Sequence, residues 1–117
     1  MQKKEGENMK ILVVHQRVQI LRNCETYLRR AGHEVHTAYD GAEAAEKLQS
    51  HYYDLVISAA TLLRMGLDDI LSLLDSHVSA TLLILLGKSE VVHDRIKATI
   101  PTPFRPASLV ALVATLL

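Results

Sequence analysis

The sequence has little of what several protein classes depend on. It contains one cysteine, Cys24, so no internal disulfide can form, and a reducing compartment such as the cytoplasm is expected. Its five glycines are not clustered, which argues against a glycine-rich phosphate loop. No apolar run reaches the roughly 18 residues that span a bilayer. Residues 1–8 also lack the apolar centre of a signal peptide, so neither membrane insertion nor secretion is expected.

Net charge is absent as well. The 13 basic residues balance the 13 acidic ones, so no overall field would draw this chain to nucleic acid or to an anionic membrane. What is present is an apolar fraction of 49%, which suits a globular protein with one core at a length of 117 residues. We expect a flexible leader over residues 1–8 and one domain over residues 9–117.

Short apolar runs alternate along the chain with segments of helical period. The predicted strands cover residues 10–14, 34–39, 53–59, 80–86 and 99–102, and the predicted helices cover residues 16–31, 42–50, 67–76, 90–98 and 108–117. Strands that alternate with helices pair in parallel through right-handed crossovers. The sequence therefore predicts a three-layer, doubly wound α/β domain with five strands.

In such domains the ligand crevice lies beyond the carboxyl ends of the strands, where the strand order reverses. The residues that follow the predicted strands are 15–17, 59–61, 87–89 and 102–104. These four segments are the candidate site.

Several strings along the chain resemble the receiver domain of bacterial response regulators. They are ILVV, AGHEVHTAYDGAEAAEKL, YDLVIS and TPF, and the resemblance runs from about Met9 to the C-terminus. It is strongest up to Ala59. The resemblance implies a flavodoxin-like sheet of order 2-1-3-4-5.

The resemblance also implies which positions should carry chemistry. Members of the family have an acidic pair after the first strand, a phosphoacceptor Asp ending the third, a hydroxyl after the fourth and a Lys before Pro-Phe after the fifth. These positions fall here on His15 and Gln16, on Ala59, on Gly87, and on Thr102 ahead of Pro103. The oxygen ligands that Mg²⁺ requires are therefore missing. We expect a degenerate receiver that is not an enzyme and uses no metal and no cofactor.

Other polar side chains do not replace the missing carboxylates. Asp54 should lie roughly 16 Å from Ala59, at the other end of the strand. Asp68 and Asp69 fit the first turn of a helix, where negative charge is favourable. Ser58 should point to the opposite face of the sheet. Only a register slip after the fourth strand would bring Lys88 or Ser89 to the crevice.

His15 leaves two interpretations open. Histidine can be phosphorylated, bind a metal or change charge with pH. The alternative is a histidine that caps the strand end and hydrogen-bonds a neighbouring backbone group. The six histidines together, at positions 15, 33, 36, 51, 77 and 93, show no spacing typical of a zinc site.

The last third of the chain departs most from the family. The segment from Gly87 to Thr102 is shorter by roughly two helical turns, so the fourth helix should be shortened or replaced by a loop. The final helix is apolar almost all round. We expect four residues to face the sheet, Leu109, Leu112, Val113 and Leu116, and three to face outward, Val110, Ala114 and Leu117. With Phe104, those three form the predicted interaction surface.

These observations predict a phosphorylation-independent signalling domain of a two-component or phosphorelay system. It would act by protein–protein interaction, with a signalling protein or with a second copy of itself as a homodimer, and it would not bind nucleic acid directly. The alternative is a small-ligand or anion sensor that uses the emptied crevice. An output domain elsewhere in a longer protein also remains open.

Overall fold

One parallel sheet organises the computed structural model, which describes residues 8–76 and 80–117. Its strands are β1 (Lys10–Val14), β2 (Glu34–Ala38), β3 (Leu55–Ala59), β4 (Leu82–Leu86) and β5 (Ile96–Ile100), in the order β2-β1-β3-β4-β5. Its helices are α1 (Val18–Arg30), α2 (Gly41–Ser50), α3 (Leu67–Asp75) and α4 (Pro106–Ala114). The predicted fold class, strand number and strand order are confirmed.

Most of the predicted leader, residues 1–7, lies outside the described residues, as does His77. Asn8 is exposed, whereas the side chain of Met9 is buried.

Local sequence signals set the helix boundaries. The carboxylate of Asp40 accepts the N–H of Glu43 at 2.8 Å, and Glu43 accepts the N–H of Tyr39 at 2.6 Å, so α2 begins with a reciprocal cap. After α1, Gly32 takes a φ of +100° that a residue with a Cβ rarely adopts, and the N–H of His33 bonds the carbonyl of Leu28 at 3.2 Å.

The sheet divides the core into two apolar layers. One layer lies under α2 and α3 and includes Leu12, Val56 and Ile70. The other lies under α1 and α4 and includes Val13 and Leu109. Because β3 sits between neighbours and is covered on both faces, all five of its residues are buried.

The fourth crossover differs from the detailed prediction. Residues 87–95 form a loop without helix, so the predicted helix over 90–98 is wrong. The predicted fifth strand is present, but it covers 96–100 and not 99–102. Ile96 and Ala98, which belong to the predicted helix, pair with β4 instead, as do Thr99 and Ile100. Of the two outcomes expected for the fourth helix, shortening or replacement by a loop, the structure shows replacement by a loop.

Ionic contacts fasten this loop to the end of α3. Arg95 Nε lies 2.8 Å from Asp75 Oδ1, and His93 Nε2 lies 2.9 Å from Asp75 Oδ2. The remaining nitrogens of Arg95 donate to the carbonyls of Thr81 at 2.9 Å and Leu74 at 3.0 Å. The hydrogen bonds from Arg95 and then from His93 lower the pKa of Asp75 below its ordinary value.

Candidate functional site

An open crevice of about 260 Å³ lies at the carboxyl ends of the strands. Its lining includes four of the predicted site residues, His15, Gln16, Ala59 and Thr102, together with Arg17, Ile20, Ala60, Thr61 and Leu86. The structure thus brings together residues from the ends of β1, β3 and β4 and from the segment after β5.

Two predicted positions stand outside this lining. Gly87 turns the chain with a φ of +109° and donates its N–H to the carbonyl of Ile100 at 2.8 Å. Pro103 follows a cis bond to Thr102 and faces a small separate pocket between α1 and the start of α4, which it shares with Phe104. Lys88 and Ser89, which a register slip would have brought in, line another depression.

His15 is 7% exposed, and its ring is oriented by a backbone contact. Its Nδ1 accepts the backbone N–H of Arg17 at 3.0 Å, and the backbone N–H of His15 donates to the carbonyl of Ala38 at 3.1 Å. Burial lowers the pKa of His15, and the charge of Arg17 lowers it further. The ring is therefore neutral at pH 7, with its proton on Nε2, because Nδ1 acts as the acceptor. This geometry agrees with the interpretation of His15 as a strand-end cap.

Gln16 joins two loops across the mouth of the crevice. Its Nε2 donates to the carbonyl of Thr61 at 3.1 Å, which links the loop after β1 to the loop after β3. We call residues 60–66, the loop after β3, the rim.

The rim is also fastened to the start of α2. Gly41 donates its N–H to the carbonyl of Leu63 at 2.9 Å, and the guanidinium of Arg64 lies 3.0 Å from the carboxylate of Asp40. A Cβ on Gly41 would collide with the carbonyl of Met65, so only glycine allows this approach.

No carboxylate appears in the crevice lining that the described residues provide. Asp54 sits at the other end of the sheet, where its Oδ2 accepts the N–H of Lys10 at 2.8 Å. Asp69 accepts the N–H of Gly66 at 3.2 Å and so caps the start of α3. Ser58 is buried and donates to the carbonyl of Ala59 at 2.9 Å. Over residues 8–76 and 80–117, no three His, Cys, Asp or Glu side chains are grouped so that they could hold a metal ion.

Two lining residues lie within the predicted segments 15–17 and 59–61, but the sequence assigned them no role of their own. Arg17 brings the only charged side chain of the described lining, and Thr61 brings a hydroxyl and the carbonyl that Gln16 binds. Their position within three residues of the ends of β1 and β3 placed them in the candidate site, whereas nothing in the sequence marked their individual roles.

The predicted interaction surface needs one correction. Val110 is half-buried and packs on the layer under α1 and α4, so it does not face outward as expected. Ala114 is exposed and Leu117 is 48% exposed, which agrees with the prediction. Phe104 is half-buried against the same layer. None of the described helices is long and apolar enough to cross a membrane.

Known proteins with a similar sequence are response regulators. No protein-family model matches the chain. A search of curated proteins finds Response regulator ArlR of Staphylococcus aureus, which is 30% identical over 86 residues, or 74% of this chain and 39% of that protein. The chain thus spans about two fifths of the length of the curated relatives it matches.

Solved structures agree over nearly the whole chain. The chemotaxis response regulator CheY4 of Vibrio cholerae matches with a TM-score of 0.82 and 23% identity, covering 95% of this chain and all of that one. The receiver domain of the Francisella response regulator 1452 matches with a TM-score of 0.79 and 21% identity, covering 93% and 96%. The chain therefore has the fold of a CheY-like response regulator receiver domain, and its sequence is similar to that of a response regulator over 86 residues.

Proposed function

We propose that this chain is a receiver-like signalling domain of a two-component system that works through protein contact and is not phosphorylated. The observation that carries the proposal is the crevice lining, in which the side chains of His15, Gln16 and Ala59 stand where the resemblance puts carboxylates.

Receiver phosphorylation requires an acceptor oxygen and a bound divalent cation. Mg²⁺ prefers hard oxygen ligands in octahedral array. The crevice offers it a neutral imidazole, an amide that is already bonded to Thr61, and the methyl group of Ala59. The guanidinium of Arg17 would further repel a cation. We infer that the domain takes up no phosphoryl group and is not an enzyme.

The contact surface in this proposal is the end of α4 together with Leu117, three residues beyond it. Ala114 and Leu117 are apolar and exposed in the described chain, whereas Phe104 and Val110 pack on the core. A second copy of the chain or another signalling protein would cover this surface. The balanced charge favours a protein partner over nucleic acid or membrane.

The phosphorylation part is tested with beryllofluoride and Mg²⁺, followed by ¹H–¹⁵N NMR spectra, and with acetyl phosphate followed by intact-mass spectrometry. We expect unchanged spectra and no phosphoryl adduct. A phosphorylatable receiver domain treated in parallel is the positive control. An adduct, or shifts around Ala59 that require both reagents, would contradict the proposal.

The contact part is tested by size-exclusion chromatography with light scattering over a range of protein concentrations. If a second copy covers the surface, the measured mass rises with concentration, and Leu117→Asp abolishes the rise. Ser108→Asp, on the exposed first turn of the same helix, is the matched control and should leave the mass unchanged. A chain that stays monomeric at every concentration rules out the homodimer and leaves a different signalling protein as the partner.

A further inference from the structure

His15 presents to the crevice a hydrogen-bond donor that no described residue accepts from. His15 is more than nine-tenths buried, its Nδ1 is engaged with Arg17, and no described residue accepts a hydrogen bond from its Nε2. Among the described residues, every fully buried side-chain nitrogen or oxygen has a hydrogen-bond partner. Since Nε2 of His15 has none, this atom must reach solvent, and the crevice is the open space that His15 lines. A solvent-open donor on a ring that is otherwise enclosed is suited to a ligand that accepts a hydrogen bond.

The amino end of α1 supplies further donors at the same place. Leu21 is the first residue to donate back into the helix, to the carbonyl of Arg17 at 3.0 Å, so the N–H groups of residues 18–20 have no partner within the helix. The side chain of Arg17 at the N-cap makes no capping hydrogen bond, and the first turn has no acidic residue. Arg17 and Ile20 both line the crevice, which places this positive helix end against it.

The charge of the lining has one sign. Arg17 is positive, and Thr61 and Thr102 add hydroxyl groups. The carboxylates next along the chain from β2 are committed elsewhere, since Asp40 binds Arg64 and caps α2, while Glu43 binds the N–H of Tyr39. The methyl group of Ala59 adds no charge that would repel an anion.

We propose that this crevice reversibly binds a phosphate group, either as inorganic phosphate or as part of a phosphate-bearing metabolite. The Nε2–H of His15, the guanidinium of Arg17 and the first amides of α1 hold it, with no metal and no covalent bond. The binding does not depend on the protein-contact role, because the surface on α4 takes no part in it.

The first test is an NMR titration of the full chain with sodium phosphate at constant ionic strength, with sodium chloride as the balancing salt. We expect saturable shifts of the amides of residues 15–20 and of the imidazole Nε2 of His15. Glycerol phosphate in a second titration distinguishes a phosphate monoester from the free ion, and the tighter of the two identifies the source. Sodium acetate should shift the same amides less. Shifts that do not saturate, or that chloride alone reproduces, would overturn the proposal.

Variants separate the site from general salt effects. His15→Phe removes the donor and keeps the ring volume, and we expect phosphate to bind at least about tenfold more weakly. Because a buried substitution can disturb folding, Arg17→Gln at the exposed N-cap is the second variant, with an expected loss of about three- to tenfold.

Arg105→Gln is the matched control, since Arg105 is an exposed arginine at the N-cap of α4, where no buried histidine is present. It should bind phosphate like the parent chain. Equal affinity of the parent, His15→Phe and Arg17→Gln would overturn the proposal.

The two proposals fail in different ways. Bound phosphate should wash away on desalting, which leaves the intact mass unchanged. Phosphate that stays covalently attached would instead contradict the phosphorylation-independent role. Absence of any saturable binding would remove this inference alone.

Discussion

Two regions of the sheet, which we call the covered half and the open half, are stabilised by different contacts. The covered half, made of β1, β2 and β3 with α1, α2 and α3, encloses its strands, and all five residues of β3 are buried. The open half, made of residues 87–100, has no helix of its own, and Lys97 and Thr99 in β5 are exposed. Apolar burial dominates the covered half, whereas the loop of the open half, residues 87–95, is fixed by a few polar contacts around Arg95. Strand β5 adds its pairing with β4 and the packing of Ile96, Ala98 and Ile100.

This difference shows what the receiver-type sheet needs in order to form. The central strands need cover on both faces because they contribute most of the apolar area that is removed from water. The edge strand needs pairing on one side only, and β5 obtains it from β4. A crossover helix can therefore be lost if something else fixes the loop.

The largest expected change in the free energy of unfolding comes from shortening one isoleucine to alanine in each half. We expect Ile57→Ala, in fully buried β3, to lower the free energy of unfolding by about 2–5 kcal/mol. Ile100→Ala removes the same atoms from a half-buried position in β5 and should cost less than about half as much. Urea denaturation of both variants measures the ratio, and equal losses would contradict the division into a covered and an open half.

A glycine pair tests how tightly the rim is packed in the covered half. Gly41→Ala places a methyl group against the carbonyl of Met65 and should cost about 1–3 kcal/mol. Gly66→Ala is the control, because a Cβ there meets no atom within 4 Å, and it should stay within about 1 kcal/mol of the parent. Urea denaturation again measures both, and a neutral Gly41→Ala would show that the rim can move away.

The polar contacts of the open half are tested at Arg95. Arg95→Met keeps the aliphatic stem and removes the bonds to the carbonyls of Leu74 and Thr81, with an expected loss of about 1–2 kcal/mol. Amide hydrogen exchange should accelerate across residues 87–95 and remain slow in β3. Arg105→Met, at an exposed arginine, should change neither quantity. Uniform acceleration over the whole chain would mean that Arg95 supports both halves.

The smallest effect concerns pH and the crevice. The pKa of His15 lies below its ordinary value of 6.5 in the folded chain, so the unfolded chain takes up a proton first as the pH falls. The contribution of His15 to stability is fully present above pH 6.5 and is lost as the pH falls from that value to the folded pKa. Urea unfolding between about pH 7.5 and about pH 5.5 should show this decline, and His15→Phe should reduce it.

In the same series, NMR titration of His15 should give a higher pKa in Arg17→Gln, because a nearby positive charge has been removed. An unchanged pKa would show that burial alone sets it.

Local signals were enough to predict the covered half. Strand β1 has the predicted bounds, 10–14, because a run of β-branched and aliphatic residues fits only a buried strand. The start of α2 follows from Asp40, whose capping contact involves a residue three positions away. The gathering of His15, Gln16 and Ala59 follows from the rule that parallel strands end at one edge.

The open half could not be predicted in this way, because its structure depends on distant partners. Residues 96–100, Ile-Lys-Ala-Thr-Ile, alternate apolar and polar side chains as an edge strand does, but so short a pattern does not exclude a helix. Pairing with β4 decides between the two. Arg95 finds its acceptors in α3 and in the chain before β4, at residues 74, 75 and 81. Val110 was placed outward because α4 is apolar on every side, so its sequence has no polar stripe to mark the solvent face.

The three fastenings of the rim, from Gln16 to Thr61, from Gly41 to Leu63 and from Arg64 to Asp40, affect how a signal could leave the crevice. A loop tied to two separate elements transmits little displacement when an occupant arrives. The amino end of α1 lies against the crevice. We therefore expect ligand binding in the crevice to displace α1 and not the rim.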